Sequence, residues 1–178
     1  STSPAAPLGL SSVTQTSTSI TLSWSASVVA SGGSAVTSYK VYRNDGSSAS
    51  AALSSSAAHT TADGSTTSAT LSDLSAGLLY SFAVSAVSEA GEGELSDVLA
   101  QSSSPGAPAS GPTSVHQTST SISLEWSAPA SDGSSGADAS GYRLYSVAEG
   151  VEPEVLYAGP STAYEQVGLT AGTSYSYA

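Results

Sequence analysis

Apolar residues occupy every second position in several short stretches of the chain, among them 20–24, 80–86 and 122–126. A period of two directs alternate side chains to opposite faces, as in a half-buried strand. Val, Ile, Thr, Tyr and Trp fill these stretches, whereas Gly, Ser, Pro and Asp separate them. No stretch has apolar residues at helical spacing over three turns. The pattern therefore predicts an all-β protein of short strands and many turns.

The alternation predicts a series of strands in each half of the chain. In the first half the predicted strands are 10–16, 19–25, 37–43, 51–59, 66–71, 79–88 and 96–103. In the second half they are 114–118, 121–127, 141–147, 154–158, 162–167 and 173–178. Short strands at this spacing are typical of a β-sandwich.

Two segments of the sequence are nearly identical at an offset of 102 residues. Residues 14–24 read TQTSTSITLSW and residues 116–126 read HQTSTSISLEW, with eight of eleven positions identical. A second similarity links Leu74, Gly77, Tyr80 and Phe82 to Leu169, Gly172, Tyr175 and Tyr177. A period of this length is too long for a solenoid repeat and matches a whole β-sandwich domain. We therefore expect two tandem copies of one domain.

A Pro- and Ser-rich segment, SSSPGAPASGP at residues 102–112, separates the two copies. Pro lacks the backbone N–H that hydrogen bonding between strands needs. The three Pro residues of this segment therefore predict a short, semi-stiff linker outside the sheets. Pro4 and Pro7 hold the equivalent place before the first copy. The predicted domains are residues 1–104, with a Pro-containing lead-in, and residues 105–178, which begin with the linker.

The motifs of both copies resemble those of fibronectin type III domains. Each copy has an alternating strand that ends in Trp, at Trp24 and Trp126. Each then has a strand of the form Tyr-x-Val/Leu-Tyr, which begins at Tyr39 and Tyr142, and later a Leu six residues before a Tyr. In the first copy the run YSFAVSAVSEAGEGELS is similar to the family's Y-x-F-x-V-x-A followed by a Gly-rich turn. The resemblance covers nearly the whole chain.

This resemblance implies an all-β fold of two tandem immunoglobulin-like (fibronectin type III) β-sandwiches. A Trp on one strand and a Tyr on another fill the centre of such a core without a disulfide. A Tyr that follows a Leu and a Gly turn suits a tyrosine corner, whose hydroxyl bonds back to the backbone, and Tyr80 and Tyr175 are the candidates. The predicted structural core residues are Trp24, Tyr39, Leu74, Tyr80, Phe82, Trp126, Tyr142, Leu169 and Tyr175.

The second copy stops at Ala178, partway through the strand that corresponds to 79–88 of the first. By comparison with the first copy, the rest of this strand and the next one are missing, and a sandwich without its last strand exposes a ladder edge. Two explanations stay open. The chain is a piece of a longer one, which we favour, or a neighbouring chain donates the strand.

Composition excludes several classes of function. Of the 178 residues, 14 are acidic and 3 are basic, for a net charge of −11. Lys40, Arg43 and Arg143 are too few to neutralise a nucleic acid backbone or to bind an anionic membrane. No apolar run approaches the ~20 residues of a membrane helix. The absence of Cys excludes disulfides, thiol catalysis and thiolate metal sites.

Candidate catalytic groups are few and lack a motif. His59 and His116 are the only His residues, and both are predicted to lie on the surface. No G-x-S-x-G elbow accompanies the many Ser residues. The acidic clusters within 89–94 and 149–154 are predicted to be solvated turn residues rather than the carboxylate pair of a glycosidase. We therefore expect no catalytic site and no enzyme activity.

Calcium is the stronger rival explanation for the acidic residues. Asp132 and Asp138 share one predicted loop, which also contains Gly133, and the three Glu residues of 89–94 share another. Clustered carboxylates and carbonyls are the ligands that Ca²⁺ prefers, but neither loop matches the pattern D-x-[DN]-x-[DN]-G. We therefore predict no metal and no cofactor.

Ser and Thr occupy 60 of the 178 positions. Small hydroxyl residues on the outward faces of strands and in loops explain most of this excess. The functional alternative is O-glycosylation, which would keep a surface with few charges soluble. The candidate acceptors are Ser1, Thr2, Ser3, Ser54, Ser55, Ser56, Ser102, Ser103 and Ser104.

We expect a non-catalytic structural or spacer segment of a secreted or cell-surface protein, within an extracellular filament, matrix or adhesive assembly. Its partners would be other proteins or copies of itself, with covalent glycans as an addition. The segment GLTAGTSYSYA at 168–178 resembles domains between the catalytic and carbohydrate-binding modules of bacterial glycosidases, which implies an accessory region of a secreted polysaccharide-degrading enzyme. A receptor or adhesin ectodomain is the other alternative, with Val28 and Val29 as the candidate protein contact.

Overall fold

The computed structural model describes residues 2–29, 32–47, 51–129 and 139–178. These residues form strands and turns, and the described part of the chain contains no helix. The predicted all-β fold is confirmed. The chain divides into two compact units, with the boundary between Pro105 and Gly106. Below, unit 1 is the part up to Pro105 and unit 2 the part from Gly106.

Within the described residues, unit 1 contains eight strands and unit 2 contains six. Those of unit 1 are β1 (Leu8–Gln15), β2 (Ile20–Ser25), β3 (Val36–Arg43), β4 (His59–Thr60), β5 (Ser68–Leu71), β6 (Leu79–Ser88), β7 (Gly91–Leu95) and β8 (Leu99–Ser102). Those of unit 2 are β9 (Ser110–Gln117), β10 (Ser121–Ser127), β11 (Tyr142–Ala148), β12 (Val151–Gly159), β13 (Ala163–Val167) and β14 (Ser176–Tyr177).

Unit 1 is a sandwich of two antiparallel sheets. One sheet has the order β1–β2–β5, and the other has the order β4–β3–β6–β7, with β8 also paired to β6. Ser96 separates β7 from β8, and its backbone N–H donates to Val84 O at 2.8 Å while its Oγ accepts from Val84 N–H at 3.0 Å. Both strands can therefore lie along the same edge of β6.

The inward residues of the two sheets form one core in unit 1. The alternation of β2 places Ile20, Leu22 and Trp24 inside, where they are at most 5% exposed. Tyr39 and Phe82, from the opposite sheet, are fully buried. The rings of Trp24 and Tyr39 meet edge to face with centroids 5.6 Å apart, a geometry that aromatic pairs prefer. Each such buried aromatic contributes on the order of 1.5–3 kcal/mol relative to an exposed one.

Unit 2 has a smaller core. Its sheets have the orders β13–β10–β9 and β12–β11–β14. Among the described residues of this unit, the buried hydrophobic cluster consists of Leu124, Trp126 and Leu144. The ring of Trp126 lies 6.0 Å from those of both Tyr142 and Tyr157, which are only partly buried. Half-buried aromatic rings thus supply much of the packing.

Three strand predictions for unit 1 differ from the structure. The expected strand 51–59 is wrong: only β4 (His59–Thr60) forms, because the Ala- and Ser-rich segment before it lacks alternating large apolar residues. The expected strand 96–103 begins only at Leu99. β7 forms where the sequence predicts a Gly-rich turn. Its own residues do not indicate a strand, but backbone hydrogen bonds to β6 hold the segment in an extended conformation.

Pro112 lies inside β9, although the Pro residues of 102–112 are expected outside the sheets. β9 is an edge strand, and a register shift lets its pairing with β10 pass over Pro112. Edge and bulge positions need no N–H, so they tolerate Pro. The connection between β8 and β9 is therefore shorter than the predicted linker.

Candidate functional site

The outer face of the five-stranded sheet of unit 1 carries a hydrogen-bond network around Glu92. The Lys40 ammonium donates to Glu92 Oε2 at 2.7 Å, and the Tyr42 hydroxyl donates to Oε1 at 2.6 Å. The Ser85 hydroxyl donates to the same Oε1 at 2.5 Å. The sequence pattern predicts a solvated turn for Glu92. The residue is exposed, but it lies in β7, which pairs with β6, and not in a turn. The network joins β3, β6 and β7 side by side.

Glu92 stays ionised to unusually low pH. Partial burial raises the pKa of its carboxyl, but the hydrogen bonds from Lys40, Ser85 and Tyr42 and the charge of Lys40 outweigh this effect and lower it to about 2. The hydrogen bond and charge of Glu92 raise the pKa of Lys40, and burial and the same carboxylate raise that of Tyr42. A carboxylate this acidic and this fully engaged is a poor general base at neutral pH. The arrangement is suited to fastening strands rather than to catalysis.

Each unit contains the tyrosine corner that its sequence predicts. The hydroxyl oxygen of Tyr80 accepts a hydrogen bond from the Ser75 N–H at 2.9 Å. In unit 2, the hydroxyl oxygen of Tyr175 accepts one from the Thr170 N–H at 3.0 Å. These two bonds confirm both predicted corners.

The nine predicted core residues are buried to different extents. Those with at most 5% exposure are Trp24, Tyr39, Leu74, Tyr80 and Phe82, all in unit 1. In unit 2, Trp126 is 9% exposed, whereas Tyr142, Leu169 and Tyr175 are half-buried. The two units therefore share their core positions but not the depth of burial.

Asn44 is a buried polar residue that begins the segment Asn44-Asp45-Gly46, whose residue types are typical of a hairpin turn. It is 2% exposed, directly after β3. Its Oδ1 accepts hydrogen bonds from the Ser81 N–H at 3.0 Å and the Gly46 N–H at 3.2 Å. The tripeptide Asn44-Asp45-Gly46 indicates a turn, but nothing in the neighbouring sequence indicates that the side-chain amide of Asn44 faces β6.

An open cleft of about 600 Å³ lies beside this turn. Arg43, Asp45, His59 and Asp73 contribute to its lining. The Arg43 guanidinium carbon lies 5.7 Å above the centre of the Tyr80 ring, so the cation is held over the aromatic face. No hydrogen bond joins the four polar side chains to one another within the described residues. Ser54, Ser56 and Ser72 also line the cleft. Within the described residues, the four side chains named above therefore do not form the hydrogen-bonded chain of a catalytic set.

The other candidate chemical groups lie on the surface. His116 is exposed on β9, and the acids within 149–154 are exposed around the β11–β12 turn. In the part of the chain that the structure describes, no three His, Cys, Asp or Glu side chains cluster to hold a metal ion. Asp132 and Asp138 fall outside the described residues.

The candidate glycan acceptors differ in accessibility. Those that are exposed are Thr2, Ser3, Ser54, Ser55 and Ser56. Ser103 is 1% exposed, and its Oγ donates to Ser75 O at 2.7 Å and accepts from the Leu78 N–H at 3.2 Å. A glycan would have to displace both bonds, so Ser103 is withdrawn as an acceptor in the folded unit. Its neighbours Ser102 and Ser104 are half-buried, and Ser1 lies outside the described residues.

The candidate protein contact is only partly accessible. Val28 is 71% exposed, whereas Val29 is half-buried. The Val28 carbonyl accepts a hydrogen bond from the Ala5 N–H at 3.4 Å, which ties this loop to the N-terminal segment. The described residues include no helix that is long and apolar enough to cross a membrane.

The family sequence model of the fibronectin type III domain matches residues 5–102, more than half of the chain. The matched region carries the Trp24–Tyr39 core, the corner at Tyr80 and the two-sheet arrangement described above. This protein belongs to the fibronectin type III family, as its motifs predict.

In sequence, the chain is 31% identical over 188 aligned positions to Exoglucanase B of the bacterium Cellulomonas fimi. The alignment covers 99% of this chain and 15% of the exoglucanase. The chain therefore spans a small part of the length of that curated relative.

In structure, the chain is similar to the FN1–FN3 domains of chicken CNTN1, with a TM-score of 0.52 and 18% identity over 99% of this chain and 60% of that one. It is also similar to the twitchin kinase region of C. elegans, with a TM-score of 0.51 and 23% identity over 60% of this chain and 17% of that one. At such identities the likeness shows the fold alone.

Proposed function

We propose that this chain is a non-catalytic spacer, a pair of fibronectin type III domains that holds other modules of an extracellular polysaccharide-degrading enzyme apart. The observation that carries the proposal is the 31% identity to Exoglucanase B along 99% of the chain. Because the chain corresponds to 15% of that protein, it matches the size of an accessory region rather than of a whole enzyme.

The polar groups of the described residues support a non-catalytic role. Glu92, the carboxylate with the most perturbed surroundings, is engaged by three donors on neighbouring strands. The imidazole side chains of His59 and His116 form no hydrogen bond with the described residues, so neither has a nucleophile or an orienting partner in place. Catalysis of glycoside hydrolysis needs two facing carboxyl groups with distinct protonation states.

The organisation of the chain supports a spacing role. Each unit has its own core, centred on Trp24 in one and Trp126 in the other. A unit with its own core holds its dimensions without help from its neighbours. Pro105 and Pro108 stiffen the short connection between β8 and β9, because Pro-rich segments favour extended chain.

The proposed location is outside the cell. A polymeric glucan is too large to pass through a membrane, so an enzyme that shortens it must meet it outside. The chain has only three Lys and Arg residues, and therefore few cleavage sites for trypsin-like proteases. We favour this setting over an extracellular filament, matrix or adhesive assembly, since the sequence relative with 31% identity is an exoglucanase.

A module-replacement experiment tests the proposal. In the full-length protein that contains this chain, residues 5–178 are replaced by a flexible Gly/Ser linker of equal residue number. A disordered linker has the reach but not the stiffness of the folded pair. We expect unchanged hydrolysis of a soluble oligosaccharide and slower hydrolysis of an insoluble glucan.

Two results would overturn the proposal. One is release of reducing sugar from glucan by the purified 178-residue chain itself. The other is an equal loss of activity on the soluble and insoluble substrates, which would place the chain in the catalytic machinery.

A further inference from the structure

The three-stranded sheet of unit 1 is free of ionisable residues. Its strands read LGLSSVTQ in β1, ITLSWS in β2 and SATL in β5, without Asp, Glu, Lys, Arg or His. The chain as a whole carries a net charge of −11. The sheet therefore presents an uncharged outer surface on an acidic protein.

Six hydroxyl side chains form two rows across the outer face of this sheet. Strand pairing aligns Thr21 of β2 with Thr14 and Thr70 on either side. It aligns Ser23 with Ser11 and Ser68 in the same way. Neighbouring strands lie about 4.8 Å apart, and the two rows are alternate residues about 6.7 Å apart on β2 and β5. On β1 a bulge separates Ser11 from Thr14 by three residues, so the grid of six hydroxyls is irregular along that strand. We name this surface the hydroxyl face; its members are Ser11, Thr14, Thr21, Ser23, Ser68 and Thr70.

The hydroxyls of this face retain hydrogen-bonding capacity. Thr21 Oγ1 and Thr70 Oγ1 are 2.9 Å apart, and Ser11 Oγ and Ser23 Oγ are 3.3 Å apart. These contacts fix the orientation of the pairs. Since a hydroxyl has one donor and two acceptor positions, each pair can still bond outward.

The second unit provides an internal comparison. At the positions that correspond to Thr14, Thr21 and Thr70 it has His116, Ser123 and Glu165 in one row. At the positions that correspond to Ser11, Ser23 and Ser68 it has Thr113, Glu125 and Ala163. The same fold and nearly the same β2 sequence therefore tolerate ionisable residues at these positions. The uncharged grid is a property of unit 1, not a requirement of the sheet.

The chemistry of the hydroxyl face selects one class of partner. Protein interfaces depend on aromatic, Met and Arg anchors, and nucleic acids need cations; the face has neither. A neutral polysaccharide presents regularly repeated hydroxyls and apolar C–H faces. Leu8 and Val13 flank the grid on β1 and are 66% and 59% exposed, so they can pack against such C–H faces. Absence of charge matches a ligand without charge.

We infer that the hydroxyl face of unit 1 docks on the ordered surface of a neutral, insoluble glucan. The inference rests on the proposed function and deepens it, because a spacer that adheres to the substrate also holds the enzyme near it. Single hydroxyl contacts are weak, since sugar hydroxyls replace water that bonds equally well. Many such contacts along a polymer surface act together.

The test is a depletion assay with the purified 178-residue chain and microcrystalline cellulose. The test variant is Thr14→His with Ser23→Glu, which installs the residues that unit 2 carries at the equivalent positions. The control variant, Thr60→His with Ala100→Glu, makes the same charge change at exposed positions of the other sheet. Thermal unfolding checks that both variants fold. We expect the test variant to bind about tenfold more weakly, as for the loss of two hydrogen bonds, and the control to bind like the parent chain.

Three results would overturn the inference. They are no binding of the parent chain to cellulose, equal binding of the test variant, and equal binding of the parent chain to an anionic polygalacturonate gel. None of these contradicts the spacer role, which the replacement by a Gly/Ser linker tests separately. Conversely, a chain that binds cellulose through the hydroxyl face but proves dispensable in the full-length protein would contradict only the spacer role.

Discussion

The hydroxyl oxygen of Tyr80 lies 2.9 Å from the backbone nitrogen of Ser75, and this hydrogen bond closes the turn that leads into β6. Tyr80 is 3% exposed, whereas Ser75 is an exposed residue, so the bond is partly buried. The equivalent bond of unit 2, from Thr170 to Tyr175, is made by a half-buried ring. The same motif therefore operates at two depths within one chain.

This difference in burial predicts that Tyr→Phe at the corner lowers the unfolding free energy by different amounts in the two units. Tyr80→Phe leaves the part-buried Ser75 N–H without its partner beside a buried ring, and we expect a loss of about 1–2 kcal/mol in the unfolding free energy of unit 1. Tyr175→Phe is expected to cost less, because water reaches the Thr170 N–H. Urea unfolding followed by the single Trp of each unit measures both values. Equal costs in the two units would contradict the role of burial.

The network of Glu92 predicts an acid-sensitive unit 1. Its folded-state pKa of about 2 lies below the ordinary value of 4.5, so the stabilisation is present above about pH 4.5 and is lost as the pH falls toward 2. Glu92→Gln is expected to reduce the unfolding free energy of unit 1 at pH 7 by about 1 kcal/mol. It is also expected to make that free energy depend less on pH between pH 5 and pH 2. Urea midpoints across this range measure the effect, with Glu94→Gln as the exposed control. Part of the slope persists in the variant, because Asp63, whose carboxylate accepts hydrogen bonds from Ser65 and Thr66, also has a pKa of about 2.

Gly64 lies where the surrounding backbone leaves no room for a side chain. A Cβ there would collide with the backbone carbonyl of Val36, which cannot move without disturbing β3. We expect Gly64→Ala to destabilise unit 1 by about 1–3 kcal/mol. Gly111 in β9 has open space around the same position, so Gly111→Ala should change stability by no more than about 0.5 kcal/mol. A harmless Gly64→Ala in thermal unfolding would mean that this turn is not held against β3.

The buried hydrogen bonds of Asn44 predict a large loss of unfolding free energy when its side chain is truncated. Asn44→Ala removes the acceptor for the Ser81 and Gly46 N–H groups, and unsatisfied buried donors cost about 1–3 kcal/mol each. Asp45→Ala next to it is the control, because Asp45 is exposed and its carboxylate makes local hydrogen bonds to Ser47. Amide hydrogen exchange at Ser81 should accelerate in the first variant and stay unchanged in the second.

Several parts of the fold follow from local sequence. The alternation of Ile20, Leu22 and Trp24 defines a strand with one buried face, and its near repeat at Ile122, Leu124 and Trp126 defines the second unit. In each unit a Leu, a Gly and a Tyr at fixed spacing define the tyrosine corner. These features can be predicted from the sequence because they depend on a few neighbouring residues. Such residues set the direction of side chains along a strand and the backbone conformation of a tight turn.

Other parts depend on residues far apart in the chain. Glu92 reads as a solvated acid until β7 pairs with β6 and brings it to Lys40, 52 residues away. Asn44 reads as a turn residue until β6 presents the Ser81 N–H to it. Pro112 reads as a strand breaker until β9 proves to be an edge.

By itself, the sequence determined most of the strands, but not β7 or the shortness of β4. It also determined which faces of the alternating strands are apolar, and its near repeat indicated a second copy of the domain. Only the tertiary structure decided which residues meet across neighbouring strands. That register aligns Thr14, Thr21 and Thr70 into one row of hydroxyls, and in unit 2 it aligns His116, Ser123 and Glu165. The physical reason is that register is set jointly by the hydrophobic faces of both strands and by the turns between them, so no single strand specifies its partner.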